Sequence, residues 1–424
     1  MDGSSHNVVD PGATDTSQAD DVHAPLKVVV YKDKYQSSFM SPRHSRHQIV
    51  RSKFAPFNKI KPQWDGFTML PPFQGEDLVH AHNRIPFGAG RYICSFESSL
   101  PRAYGITPGH PLIKIMQGAI EGDRCRRLIG MSHYAKRNFL RQHEGDPALE
   151  ALASKLLVRH PNVTMGSVED PLADDDCKHL TVTFVGGHFG RKGGAACVRA
   201  AEMALERKLP VTFNIISSLM AGEEVWFDPS EPGFFDPYFA KLDLPNIHHE
   251  PGLGNAEVRA LMARSHFTLL PTLGDTFGYS MIESMAEHTP VIGSAICAVP
   301  EVVAPGLNGY LLDLPTTPVG EWVRRGYFER GTQAFADQYR DANESLAVQM
   351  VDLLESLVGK RDTLQRLRKG AYETAGLMFS AQSQGALWDE LYERVAGEDL
   401  RKAPRSNPAL EVSSPEDPAE VLKG

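Results

Sequence analysis

Short apolar runs alternate with longer polar stretches of helical spacing along most of the chain, a rhythm that predicts parallel strands joined by helices. The β-branched run Lys27 to Tyr31 comes first, followed by Leu78 to His80, Tyr92 to Ser95 and Arg127 to Met131. After the acidic, proline-containing stretch Glu169 to Lys178 the alternation becomes regular. It reads strand 180–185, helix 193–207, strand 211–216, helix 255–264, strand 267–271, helix 278–287, strand 290–294. Such repetition implies a doubly wound sheet, and the acidic stretch marks a domain boundary. A last amphipathic segment, Ala381 to Val395, sets Ala386, Leu387, Leu391 and Val395 at helical spacing beside Trp388 and Tyr392. Residues 1–24 and 399–424 are rich in Ser, Pro, Asp, Glu and Gly and are expected to be disordered tails.

The bulk numbers narrow the function. A chain of 424 residues, 42% hydrophobic and 23% charged, has room for two to three domains of about 150 residues each. A net charge of -9 argues against a nucleic-acid binder, which needs a basic excess. Five scattered cysteines without a C-x-x-C pair suit a reducing cytosol. The polar, acidic start lacks the marks of a signal peptide, and no run of about 18 apolar residues predicts a membrane span.

Candidate chemistry concentrates in Phe267 to Leu312, which reads as strand, loop, helix, strand, loop, short helix, turn, strand. The loop Thr272 to Phe277 leaves the carboxyl end of a strand and Gly278 opens the next helix, so the first-turn N–H groups face the crevice above the sheet. Met281, Ile282, Met285 and Ala286 form the buried stripe. Glu283 then stands at its edge, where a carboxylate can accept two hydrogen bonds from a sugar diol. Taken alone, Glu283 reads more readily as a solvated or capped helix carboxylate.

The frame D-T-F-G-Y-S-M-I-E-S-M-A-E-H-T-P-V-I, starting at Asp275, resembles the signature E-G-F-G-L-x-x-x-E-A-M-A-x-G-x-P-V-I of the family 4 retaining glycosyltransferases. Val299 to Leu311 resembles that family's V-P-E-V-V-x-x-G-x-N-G-x-L element, and Phe184 to Gly194 its glycine-rich loop with a lysine, here Lys192. The resemblance implies an α/β protein of GT-B architecture, two Rossmann-like domains facing across a cleft. Residues 25–172 would be the acceptor domain, 178–378 the donor-nucleotide domain, and 379–398 a helix packing back toward the first domain.

The implied activity is hexosyl transfer, with retention, from a nucleoside diphosphate sugar to a glycan or lipid-linked acceptor, without metal or cofactor. The other reading is an inactive nucleotide-sugar-binding partner or regulator. By resemblance, Glu283 would hold the nucleotide ribose, Asp275 a sugar hydroxyl, and the backbone of Phe277, Gly278, Tyr279 and Ser280 the sugar and pyrophosphate. Lys192, assisted by Arg191, would meet the diphosphate and neutralise it as the glycosidic bond breaks. Glu97 stands where many relatives place an active-site histidine.

The chain departs from the family in four further places. Asp275 is one methylene shorter than the usual glutamate, about 1.5 Å of reach. Cys297-Ala298 replaces a Gly-Gly pair, and the usual upstream arginine reads Gly187 or His188. No glycine loop follows the first strand, and Gly252 to Asn255 reads as a turn with a helix cap at Asn255 that would lie near the base. A glycan phosphorylase would need a pyridoxal-phosphate lysine motif, which the sequence does not display.

Three weaker signals complete the reading. His80 and His82 would share a strand face, the spacing of a metal pair or of structural histidines. Asp174 to Asp176 reads as a solvated linker triplet or a magnesium site. Arg43, Arg46, Arg51, Lys53, Lys59 and Lys61, with the cationic stretch Arg124 to Arg141, would suit a solvated surface or peripheral contact with the anionic inner face of a membrane, at about 1 kcal/mol per charge.

Overall fold

The computed structural model describes residues 24–31, 40–55, 57–69, 75–102, 106, 109–402, 414–415 and 417–421. The first domain contributes strands β1 (Lys27–Tyr31), β2 (Gln48–Ser52), β3 (Phe67–Met69), β4 (Leu78–His82), β5 (Ile85–Phe87), β6 (Tyr92–Phe96), β7 (Cys125–Gly130) and β8 (Leu156–Val158). Its helices are α1 (Pro111–Glu121), α2 (His133–Gln142) and α3 (Leu149–Ser154). Six of these strands form one parallel sheet in the order β2-β1-β4-β6-β7-β8, while β3 and β5 pair separately.

The second domain holds β9 (Leu180–Val185), α4 (Gly194–Glu206), β10 (Val211–Ile216), α5 (Asp236–Phe239), β11 (Ile247–Glu250), α6 (Asn255–Ala263), β12 (Phe267–Leu270), α7 (Tyr279–Met285), β13 (Val291–Ser294) and β14 (Gly309–Leu312). The sheet is parallel throughout, in the order β11-β10-β9-β12-β13-β14. That is the doubly wound order whose switch point lies between its first and fourth strands, β9 and β12. The crevice outside the carboxyl ends of these two strands is where such sheets bind ligands. The inner strands of the two sheets are buried on both faces, which is why several of them read as near-continuous apolar runs. The architecture is the two-domain α/β arrangement that the sequence implied.

Helices α8 (Gln333–Leu357) and α9 (Arg361–Thr374) follow β14, and α8 lies along α4. Helix α10 (Ala381–Gly397) then crosses to the first domain and contacts β4. Its buried stripe is Ala381, Gly385, Trp388, Leu391, Tyr392 and Val395; Ala386 is exposed, so the apolar face is rotated from the one expected. Trp388 lies 4.6 Å, ring to ring, from His80, and the Tyr392 hydroxyl is 2.7 Å from His80 Nδ1.

Residues 1–23 lie outside the described part of the chain, as does the expected glycine-free loop over 32–39. A few residues of the expected C-terminal tail, 399–402, 414–415 and 417–421, are described. Ser414 is buried, donates its N–H to the Val158 carbonyl at 3.0 Å and accepts the His160 N–H on its hydroxyl, and a short helix α11 (Pro418–Val421) follows. No helix among the described residues is long and apolar enough to cross a membrane.

Candidate active site

A cleft of about 1160 Å³ lies between the domains. Its first wall comes from the ends of β4 and β6, with His82, Asn83, Arg84, Glu97 and Arg102. Its second comes from the loops after β9 and β12, with Arg191, Lys192, Asp275, Gly278, Tyr279 and Ser280.

Backbone chemistry sets the second wall. The Arg191 carbonyl accepts hydrogen bonds from the Leu273 N–H and the Thr272 hydroxyl, both at 3.0 Å, which fastens the loop after β9 to the loop after β12. Phe189, fully buried against Phe235 and Phe239, anchors the first of these loops below. Gly193 adopts φ +89°, and a Cβ there would overlap the Pro271 carbonyl, so this approach of two loops requires glycine. The result sets Lys192 Nζ against Asp275 Oδ2 in a charge-assisted hydrogen bond, while Arg191 donates to the Gly274 carbonyl at 2.5 Å with its guanidinium 3.9 Å from Asp275.

Glu97 ends β6 on the opposite wall. Asn83 Oδ1 accepts its N–H at 3.0 Å, the Arg102 guanidinium donates to its carboxylate at 2.7 Å, and His82 Nε2 lies 3.6 Å away. Burial works to raise this carboxyl, but the contact with His82 and the Arg102 charge outweigh it and hold the group well below the carboxylate range. Glu97 is therefore an anion at neutral pH.

Helix α7 spans seven residues behind Gly278, whose φ of +83° turns the chain into it. Met281, Ile282, Met285 and Ala286 are fully buried, as the spacing required. Tyr279 and Ser280 reach the cleft, while the Phe277 ring does not: it is 1% exposed and packs near His160 and Phe379. Glu283 lies one turn further on. Asn255 Nδ2 donates to its Oε1 at 2.8 Å, and burial raises its carboxyl above the ordinary value against this bond and the Arg259 and Arg43 charges. The cap of α6 is Gly254, whose N–H is held by Glu257 at 2.8 Å, so Asn255 is released from capping to hold Glu283. Arg43, which the sequence placed in a basic surface stretch of the first domain, is close enough for its charge to act on Glu283.

Cys297 keeps the left-handed conformation a glycine would take, φ +52°, and burial pushes its thiol up to about 12. Tyr134, Trp226 and Glu321 also line the cleft. They sit on α2, on the segment after β10 and on the segment after β14, where no spacing in the sequence marks them.

Several residues of the weaker sequence signals are taken up in structural contacts, while Arg51, Lys53, Lys59, Lys61, Asp174 and Asp176 stay exposed. His80 bonds the Tyr392 hydroxyl and, at 3.1 Å, Ser95 Oγ, which His82 shares at 2.9 Å, and burial lowers His80 to about 3. Among the described residues, the group with metal-ligand spacing is Asp175, Cys177 and His266. His266 accepts the Thr181 N–H on Nδ1, so its Nε2 carries the proton it gives to Asp175 at 3.1 Å, and both ring nitrogens are used. Asp175 is thus bonded rather than solvated. Arg126 and Arg127, expected on a basic surface, are 1% exposed and share Glu398 at 2.6 Å each, and Arg46 pairs with Glu393.

Known proteins bear on this arrangement. Residues 179–322 match the family model described as Glycosyl transferases group 1. A D-inositol 3-phosphate glycosyltransferase of Streptomyces avermitilis is 23% identical over 261 residues, covering 56% of this chain and 54% of that protein. The chain spans about half the length of this curated relative. A glycosyltransferase from Rickettsia africae superposes with a TM-score of 0.56 at 13% identity, over 89% of this chain and 100% of that one. The Anabaena protein HepE, solved with UDP and glucose, gives 0.53 at 14% identity over 87% and 99%.

Proposed function

We propose that this protein, whose residues 179–322 match the group 1 glycosyltransferase family model and whose strand ends form one wall of the cleft, transfers a hexosyl unit, with retention, from a nucleoside diphosphate sugar to a glycan or lipid-linked acceptor. The observation that carries the reading is that Lys192, Asp275 and Glu97 come from separate strand ends and meet in one interdomain cleft. Cations at the second wall match a diphosphate, and an ionised carboxylate faces them.

Donor binding would exchange the Lys192–Asp275 pair for two contacts, the ammonium with a phosphate oxygen and the carboxylate with a sugar hydroxyl. Glu283, held by Asn255, would accept the ribose hydroxyls. As the bond from the anomeric carbon to the diphosphate oxygen breaks, Lys192 and Arg191 stabilise the charge gathering on the leaving group, and the Glu97 anion stabilises the positive charge left on the sugar ring. The acceptor oxygen then bonds the anomeric carbon and its proton passes to the departing diphosphate.

Calorimetric titration of UDP, GDP and ADP tests the donor half. Removing one charge-assisted hydrogen bond costs about 1.5–3 kcal/mol, so Lys192→Ala and Glu283→Ala should each weaken the preferred nucleotide by roughly ten- to 150-fold. Affinities within a factor of two of the unmutated protein in both variants would refute the assignment. Turnover across a panel of nucleotide sugars tests the other half, and tight binding without turnover of any donor would favour the regulatory reading.

A further inference from the structure

A second chamber of about 370 Å³ opens off the cleft beside Asp275, sharing Tyr134, Arg191, Trp226, Asp275, Thr276 and Glu321 with it. The segment after β10 supplies Trp226 and Phe227, and the segment after β14 supplies Glu321 to Tyr327. Both lie outside the motif positions at which the chain resembles glycosyltransferases.

The lining is unusual for a protein surface. Trp226 is 57% exposed and Tyr327 51%, so two large rings face the opening. An indole kept this open offers a flat apolar face with a polar edge, the form that suits the CH-rich face of a pyranose. Arg324 lies over Phe227 and Trp226, its guanidinium carbon 4.3 Å from the Phe227 ring centre and 5.6 Å from that of Trp226. Its single side-chain hydrogen bond among the described residues goes to the Arg325 carbonyl, and no described carboxylate is within ion-pair distance. Glu321 attracts it from further off while accepting the Tyr134 hydroxyl at 2.9 Å, and the neighbouring Arg325 is already paired with Glu329. A half-buried guanidinium is ordinarily matched by an anion, and this one is not.

We propose that this chamber is a subsite for a pyranose carrying a carboxylate or phosphate group, with the ring laid on Trp226 and the anionic group held by Arg324. The proposal rests on the glycosyl-transfer reading and narrows its substrate. The chamber adjoins Asp275, so the occupant is part of the donor sugar or of an acceptor residue next to it. Both sources share the same chemistry.

The test is a titration of the full chain with D-glucuronate, glucose 6-phosphate and glucose, at saturating UDP, followed by calorimetry and by the fluorescence of its four tryptophans. A charge-assisted contact predicts that the two anionic sugars bind at least about tenfold tighter than glucose. Arg324→Gln should erase that preference, Arg324→Lys should keep part of it, and Trp226→Ala, at an exposed site, should weaken all three ligands. Equal affinities for anionic and neutral sugars in the unmutated protein, or a preference that survives Arg324→Gln, would overturn the proposal. Comparing UDP-glucuronate with UDP-glucose separates the sources. A donor-borne anion makes the first the tighter ligand and Arg324-dependent, whereas an acceptor-borne one leaves the free sugars selective beside bound UDP. Failure of the transfer reading is seen separately, as absence of nucleotide binding by the unmutated protein.

Discussion

Asp228 lies under the Arg191–Lys192 loop: a side chain at Gly190 would overlap its carboxylate. It is fully buried, and burial pushes the carboxyl up to about 7 against the Gly222 N–H, the Tyr339 hydroxyl and the charges of Arg191 and Arg330. Its ordinary value is 3.8, so the folded state holds the proton more tightly than the unfolded chain does. The stability lent by this group is present below about pH 4 and lost as pH rises through 7. Asp228→Asn, which keeps an acceptor for Gly222, should therefore melt later than the unmutated protein at pH 8, by roughly 1–3 kcal/mol, with the gap closing near pH 4. Parallel slopes of melting temperature against pH would remove Asp228 from the account. Glu283 titrates in the same sense. In the proposed role its ionised form would accept two ribose hydrogen bonds, and burial raises its carboxyl, so nucleotide affinity should fall on acidification from above the ordinary 4.5. Affinity flat between pH 7 and 4.5 would contradict that role.

Helix α2 carries a contact of a different kind. Its first two N–H groups, at His133 and Tyr134, donate to the Glu301 carboxylate at 2.6 and 2.5 Å, and Arg137 adds a bond at 3.2 Å. Glu301 belongs to the V-P-E turn of the second domain, so an acid from one domain caps a helix of the other. Glu301→Ala should lower the urea midpoint by an amount worth about 1–3 kcal/mol, since it leaves two donors unmet, and Glu301→Gln by less. A shift below about 0.5 kcal/mol would mean that water replaces the carboxylate freely. The element scale is also where sequence reading divides. The segment 267–312 was legible because helix spacing, strand runs and motif agree there. Strand β2 was hidden among Arg43, Arg46, Arg51 and Lys53, because it lies at the edge of its sheet and three of its five residues are half-buried rather than core. Asn255 was misplaced as a cap because only the fold brings it to Glu283.

At the scale of the molecule, the switch point of the second sheet was readable from regular alternation, since parallel strands buried on both faces leave plain apolar runs. The cleft was less so, because Tyr134, Trp226, Glu321 and Arg102 are brought together across long sequence separations. Helix α10 belongs to the readable part in its existence and to the unreadable part in its face. Asp389 accepts from Ser45 Oγ at 2.5 Å and the Arg46 N–H at 2.9 Å, and Trp388 is fully buried against His80. Trp388→Ala should cost about 3–5 kcal/mol in guanidinium unfolding, as loss of a large buried ring does, whereas a cost under 1 kcal/mol would show that the helix is only loosely seated.

The same crossing orders events during synthesis. Domains generally fold as the ribosome releases them, amino end first. Here the cover for His80 and the counter-ion for Arg126 and Arg127 are Trp388, Tyr392 and Glu398, which emerge only after the entire second domain. A nascent first domain must therefore wait, with two cationic side chains and a patch of strand uncovered, until the whole second domain has been made.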